Sequence, residues 1–268
     1  MATRSLTTPE SADATHYVER RKRRALFGVA AVVSVVVGLV PPVSHEARRY
    51  IFAGGLQFAL FGFVAPALIV LWAPWRVLDR GGRLARAAES RRRGASYPRA
   101  IGWLVVSQAM MIFWRTPAAV NALVRHAWVA PVECFALVAV GTAFWLELVD
   151  SAPFTPRVPR QRRIILATFA MWIAWITAYL VGLSHSTSYG AYASVVGRGL
   201  SVAADQQVMA GLLWAIAALV YLPIVFANLM AWLRDEQNPD EELRRITREE
   251  RRRARWYPDG IPGGNGSH

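Results

Sequence analysis

Asp205-Gln206-Gln207-Val208-Met209-Ala210-Gly211-Leu212-Leu213-Trp214 puts an acid and two amides at the mouth of a long apolar run. Hydrocarbon would leave those three groups unsatisfied, so they must face protein or water. The run continues to about residue 233, long enough to cross a bilayer as a helix. Asp205 is suited to N-cap that helix, its carboxylate accepting orphan backbone N–H groups. That role does not exclude a site beside it.

Working outward, five more apolar runs precede this one. The spacing predicts spans at about 25–44, 50–74, 100–123, 127–149, 164–184 and 205–233. The expected fold is therefore all-α, a polytopic membrane helix bundle of six transmembrane helices occupying 25–233. Residues 1–24 form a basic N-terminal segment, disordered at its start, and 234–268 a charged tail, helical to about 255. The first run is too long for a cleaved leader and reads as a retained span. Its β-branched interior is a soluble-strand signature, which its length overrides. Gly54-Gly55 permits close helix approach in span two, and Pro66 and Pro74 imply kinks. Composition agrees: 54% of the 268 residues are hydrophobic, and eleven Trp suit interfacial belts.

The net charge of +13 sits between the apolar runs and at the chain ends. Membrane topology explains that pattern better than nucleic-acid binding does. Arginines crowd the N-terminus, the links 76–99 and 150–163, and the tail. The positive-inside rule then places both termini in the cytoplasm, as an even number of spans requires. Arg91-Arg92-Arg93 is a candidate contact for anionic membrane lipid, besides setting topology.

On that topology the outer side holds His45, His126, His185, Met110, Met111, Met209 and the lone cysteine, Cys134. Imidazole, thiolate and thioether are copper ligands, the sulfurs especially for Cu(I). Cys134, Met111, Met209 and His126 are the candidate metal ligands, and copper is the only cofactor the residues point to. No two of them stand at a recognised ligand spacing. Each also has an ordinary role: a solvated loop histidine, packing methionines, a small buried thiol. Glu133, about a third of the way into span four, is a functional-site hypothesis by default. It is equally suited to a structural hydrogen bond or to pairing with Arg115, on the outer half of span three. Glu147 reads as interfacial. No nucleophile elbow, phosphate-cradling Gly loop, His-Glu-x-x-His or Cys-x-x-Cys occurs, so neither an enzyme nor a small-molecule substrate has positive support. A transporter would want polar groups along the midplane, and spans one, two and five offer almost none.

Several motifs resemble those of the CtaG cytochrome c oxidase assembly proteins. They are Val64-Ala65-Pro66-Ala67 through Trp72-Ala73-Pro74; Trp114-Arg115-Thr116-Pro117, similar to W-H-x-P; Glu133, Gly141, Phe144 and Trp145, similar to H-x-x-E-H followed by G-x-x-F-W; Tyr189-Gly190-Ala191-Tyr192, similar to Y-x-x-Y; and Asp205-Gln206-Gln207 with Ala210, Gly211 and Trp214. Order and spacing agree over about 50–233. The resemblance implies a non-enzymatic membrane chaperone in the cytoplasmic membrane of a bacterium. It would assist maturation of haem–copper oxidases, with a subunit of the oxidase as partner and copper delivery as its means. The departures from the pattern are specific. The family's H-M-x-x-H falls on Gly54-Gly55-Leu56-Gln57-Phe58, the histidine of W-H-x-P on Arg115, and those of H-x-x-E-H on Ala130 and Cys134. Arginine does not deprotonate in a protein and is no ordinary metal ligand. Three expectations follow: Cu(I) transfer on Cys134 and nearby methionines, a metal-free scaffold or accessory subunit of a respiratory complex, or an Arg115–Glu133 ion pair where a metal once sat.

Overall fold

A computed structural model describes residues 9–78, 84, 86, 88, 96–156, 158–183, 189–193 and 199–236. Among them regular structure is helical throughout, apart from one isolated bridge between Ser151 and Phe154. The helices are α1 (Pro9–Leu39), α2 (Val43–Glu46), α3 (Ile51–Ala59), α4 (Ala65–Trp72), α5 (Trp75–Leu78), α6 (Ser96–Trp114), α7 (Pro117–Arg125), α8 (Val129–Leu148), α9 (Arg160–Leu183), α10 (Gly190–Ala193) and α11 (Val202–Glu236). Among the described residues four segments are long and apolar enough to cross a membrane: Ile51–Val77, Val129–Leu148, Arg160–Gly182 and Val202–Arg234. These match the second, fourth, fifth and sixth expected spans.

The expected first and third spans are helical but differ in form. The basic run and the apolar run at the N-terminus share one helix, α1, which stops at Leu39 before Pro41-Pro42. The third span, expected over about 100–123, breaks after Trp114. Pro117 is the cause, because its ring disfavours the helical region for the preceding residue. Thr116 is extended (φ −67°, ψ 148°), and its hydroxyl caps α7 by accepting from Ala119 N–H at 3.4 Å. Arg115 thus lies at a corner between two helices.

Pro66 has a different effect from a simple kink. It lacks an N–H for the carbonyl four residues back, and its ring crowds that carbonyl. The chain answers by widening to a π-helical turn over Leu60–Val64. Gly141 of α8 faces this defect: a Cβ there would stand 2.7 Å from Pro66 Cγ and 3.4 Å from the Gly62 carbonyl oxygen. Here the absence of a side chain sets how closely α8 approaches α4.

α9 lies along α11, α11 also meets α3, α1 packs on α4, and α8 packs on both α4 and α6. Gly182 and Ala210 mark the close approach of α9 to α11, since a Cβ on Gly182 would be 2.8 Å from that of Ala210. The core runs through Phe61, Phe63, Leu137, Phe144, Trp145 and Tyr221. Trp145 stacks on Tyr221 with ring centroids 5.3 Å apart. Stacking of this kind contributes about 0.5–1.5 kcal/mol beyond area burial. At the arginine-rich end, Glu147 is not the expected interfacial residue. It is fully buried and accepts from Arg99 Nε at 2.9 Å, because a helix end enclosed by neighbours requires a paired carboxylate.

Candidate functional site

Several of the sequence motifs converge at the opposite end of the bundle. Asp205 does not cap its own helix. Ser201 does so, accepting from Ala204 N–H at 3.2 Å. The Asp205 carboxylate reaches across to α3 and accepts from Ile51 N–H and Phe52 N–H, both at 2.8 Å. It thereby supplies the acceptors that the first turn of α3 lacks, since Tyr50 in the N-cap position makes no side-chain capping bond. Gln206, buried beside it, donates its amide to the Val181 carbonyl of α9. Gln207 is exposed. Met209 is buried one turn further on, its Cγ against Gly55 where a Cβ would have no room.

Arg115 and Glu133 form a buried ion pair, Nη2 to Oε1, at 3.0 Å. The corner after α6 makes this reachable: Arg115 Nε donates to the Trp114 carbonyl, and the guanidinium carbon lies 4.2 Å above the Phe58 ring. Glu133 Oε2 has no hydrogen bond among the described residues. Trp114 is buried, and Pro117 opens α7.

Two tyrosines hold the surrounding backbone. Tyr189 donates its hydroxyl to the Arg115 carbonyl at 3.2 Å, and Tyr192 donates to the Ala47 carbonyl at 2.5 Å. Burial holds both phenols above the usual tyrosine range, so they act as neutral donors. α10, which carries Tyr192, is fixed by Ala191 N–H donating to Asn121 Oδ1 of α7 at 2.9 Å. Beside these groups lies a cavity of about 210 Å³, whose lining includes Ser44, Arg48, Gly54, Gln57, Arg115, Ala130 and Tyr192.

Every position at which the CtaG pattern carries histidine falls in this neighbourhood. Gly54, Arg115 and Ala130 line the cavity, Phe58 lies under the guanidinium, and Cys134 follows Glu133 on α8. The residues now present do not fit a histidine-held metal. A cation already occupies the centre, and any side chain at position 54 would begin 2.9 Å from the Tyr192 hydroxyl.

The candidate Cu(I) ligands are not gathered at one point. Met209 packs against Gly55 and Met111 against Gly62. Those glycines lie seven positions apart, roughly 10 Å along a helix. Cys134 is buried, whereas His126 is exposed next to Trp128. His45 lies on α2, and His185 is outside the described residues, as are Arg91-Arg92-Arg93 and the tail beyond 236. Among the described residues no group of three His, Cys, Asp or Glu is placed to hold a metal ion.

The geometry bears on kinship because residues far apart in the chain, Asp205, Trp114-Arg115, Glu133 and the Tyr189/Tyr192 pair, meet at one end of one bundle. The chain matches the family described as cytochrome c oxidase caa3 assembly factor, Caa3_CtaG, over residues 10–235. It belongs to the CtaG family. No curated protein matches it significantly, and no solved structure does. Of the motifs that carried the CtaG resemblance, Trp114-Arg115, Glu133, the Tyr189/Tyr192 pair and Asp205-Gln206 tie this end of the bundle together, whereas Pro66, Gly141, Phe144 and Trp145 pack in its core.

Sequence reasoning missed Gln57, buried on α3 and donating its amide to the Gly38 carbonyl at 2.7 Å, and Asn121. A lone amide inside an apolar run was the available signal for Gln57. Nothing local marks Asn121.

Proposed function

We propose that this chain is a metal-free scaffold for assembly of a haem–copper oxidase. It sits in the cytoplasmic membrane of a bacterium with six spans and both termini inside, and it docks the core subunit of the oxidase without catalysing a reaction. The family supplies the assembly role. The observation that carries the metal-free reading is the guanidinium of Arg115, 3.0 Å from Glu133, where the family pattern puts a histidine. A fixed positive charge in that position repels a metal cation and occupies the carboxylate that would neutralise one. The pair, the two tyrosines and Asp205 instead hold α2, α3, the α6–α7 corner, α8, α10 and α11 in one arrangement, which is what a docking surface requires. The partner would be recognised through the outer face of this end and the flanking lipid-facing helices.

The test is anaerobic loading of the detergent-purified protein with Cu(I), followed by desalting and metal analysis, beside Cys134→Ala. The expected result is no retained copper in either protein, together with co-purification of an oxidase core subunit from the native membrane. Stoichiometric copper that disappears in Cys134→Ala would overturn the scaffold reading and establish sulfur-based transfer.

A further inference from the structure

A second cavity, of about 510 Å³, opens at the arginine-rich end between α1 and the α4–α5 corner. Its lining is Arg21, Arg24, Ala25, Trp72, Ala73, Arg76 and Val77. Three of these residues are cationic, and no acidic side chain lines the cavity among the described residues. Arg24 and Arg76 lie close enough for their charges to repel. A fold that sets like charges around one hollow is relieved by an anion between them.

The hollow is built into the packing. The Trp72 indole presses on Gly28, where a Cβ would stand 2.7 Å from the ring. That contact seats α1 against α4. Ala73 then turns the chain with a left-handed conformation (φ 57°), which ends α4 and carries Arg76 round to the cavity. Arg76 is fixed by its Nε, which donates to the Ala152 carbonyl at 3.0 Å. The terminal nitrogens of its planar fork remain for a bidentate acceptor such as a phosphodiester.

The surroundings identify the source of that phosphodiester. Directly along α1 from Arg24, a ridge of Leu26, Val29 and Val33 is 68%, 62% and 50% exposed, and Val77 at the cavity edge is 68% exposed. A free phosphate has no use for such a surface, but the acyl chains of a lipid do. We infer that Arg21, Arg24 and Arg76 form a binding site for the headgroup of an anionic phospholipid, whose chains lie along the exposed face of α1. The net negative charge of phosphatidylglycerol or cardiolipin matches the three arginines, whereas the choline of a zwitterionic lipid brings a cation to them.

The experiment measures binding of short-chain phosphatidylglycerol and phosphatidylcholine to the full-length protein in a neutral detergent. The variants are Arg24→Gln/Arg76→Gln, the charge-retaining Arg24→Lys/Arg76→Lys, and Lys22→Gln/Arg234→Gln, which removes two charges near the same end without touching the cavity. Thermal unfolding of each variant separates lost binding from lost folding. At the usual worth of a basic residue beside an anionic headgroup, the Gln pair weakens phosphatidylglycerol binding roughly 30-fold. The control changes it less than about three-fold and the Lys pair keeps most of the affinity. Equal losses in the Gln pair and the control would overturn the site in favour of a diffuse basic surface. Equal binding of both lipids, or competition by millimolar inorganic phosphate, would overturn the assignment to an anionic lipid. If the Gln pair unfolds, binding by the Lys pair at under a tenth of the wild-type affinity would likewise refute the phosphodiester contact.

Discussion

Replacing Arg115 by Met, Glu133 by Leu, and both together tests what the pair at the bundle end does. The two side chains are 6% and 1% exposed, so neither charge is well hydrated once its partner is gone. Removing one member of a buried pair leaves an uncompensated charge and costs about 3–5 kcal/mol. Glu133→Leu strands the guanidinium above Phe58, held only by the Trp114 carbonyl. Arg115→Met strands a carboxylate whose second oxygen already has no hydrogen bond among the described residues. With both replaced, neither burial penalty remains and apolar side chains of similar volume fill the space. The double variant is expected within about 1 kcal/mol of wild type, since such replacements are often neutral or stabilising. Equilibrium unfolding in mixed micelles, followed by tryptophan fluorescence, gives the coupling energy directly. Single variants that each lose under about 1 kcal/mol, or a double variant as unstable as the two losses summed, would refute the pairing as the organising contact. Oxidase maturation in cells carrying the double variant separates the scaffold from a charge-dependent function: a pure scaffold retains it.

The other expectations concern single contacts. Asp205→Ala leaves the Ile51 and Phe52 N–H groups without their acceptors, at about 1–3 kcal/mol each, and faster hydrogen exchange confined to the first turn of α3 should report it. Ser201→Ala, which removes only the cap of α11, should cost about 1 kcal/mol and leave α3 protection unchanged. Gly141→Ala sets a Cβ 2.7 Å from the rigid Pro66 ring and should destabilise by about 1–3 kcal/mol in the same unfolding assay. Gly54→His, which restores the family residue, should displace the Tyr192 hydroxyl from the Ala47 carbonyl and lower the melting temperature without conferring copper retention.

The helices were legible in the sequence wherever an apolar run was long and carried few charges, as in Val129–Leu148 and Val202–Arg234. Arg115, Asp205 and Gln206 were legible as groups in need of partners because polar groups in such runs demand them. Their partners were less so. Asp205 carries every local mark of an N-cap, and composition cannot tell which helix a carboxylate will cap. Ser201, four residues earlier, was free to take the nearer duty. Arg115 with Glu133 was readable as one option among three, because pairing across two helices depends on the corner that Pro117 imposes. The expected third span, 100–123, included the same proline, but spacing alone did not show that the helix would end before it. Asn121 and the lipid-side hollow are products of tertiary packing alone, and neither has a signature in spacing or composition.

The reach of Asp205 also sets a timetable for biogenesis. The acceptors for Ile51 and Phe52 lie 154 and 153 residues further along the chain. At 5–20 residues per second, a ribosome needs roughly 8–30 s to deliver them. Over that interval the leading turn of α3 is without its native acceptors. Among the described residues the last helix to be made therefore acts as the latch of the second span, and a nascent chain halted before residue 205 lacks it.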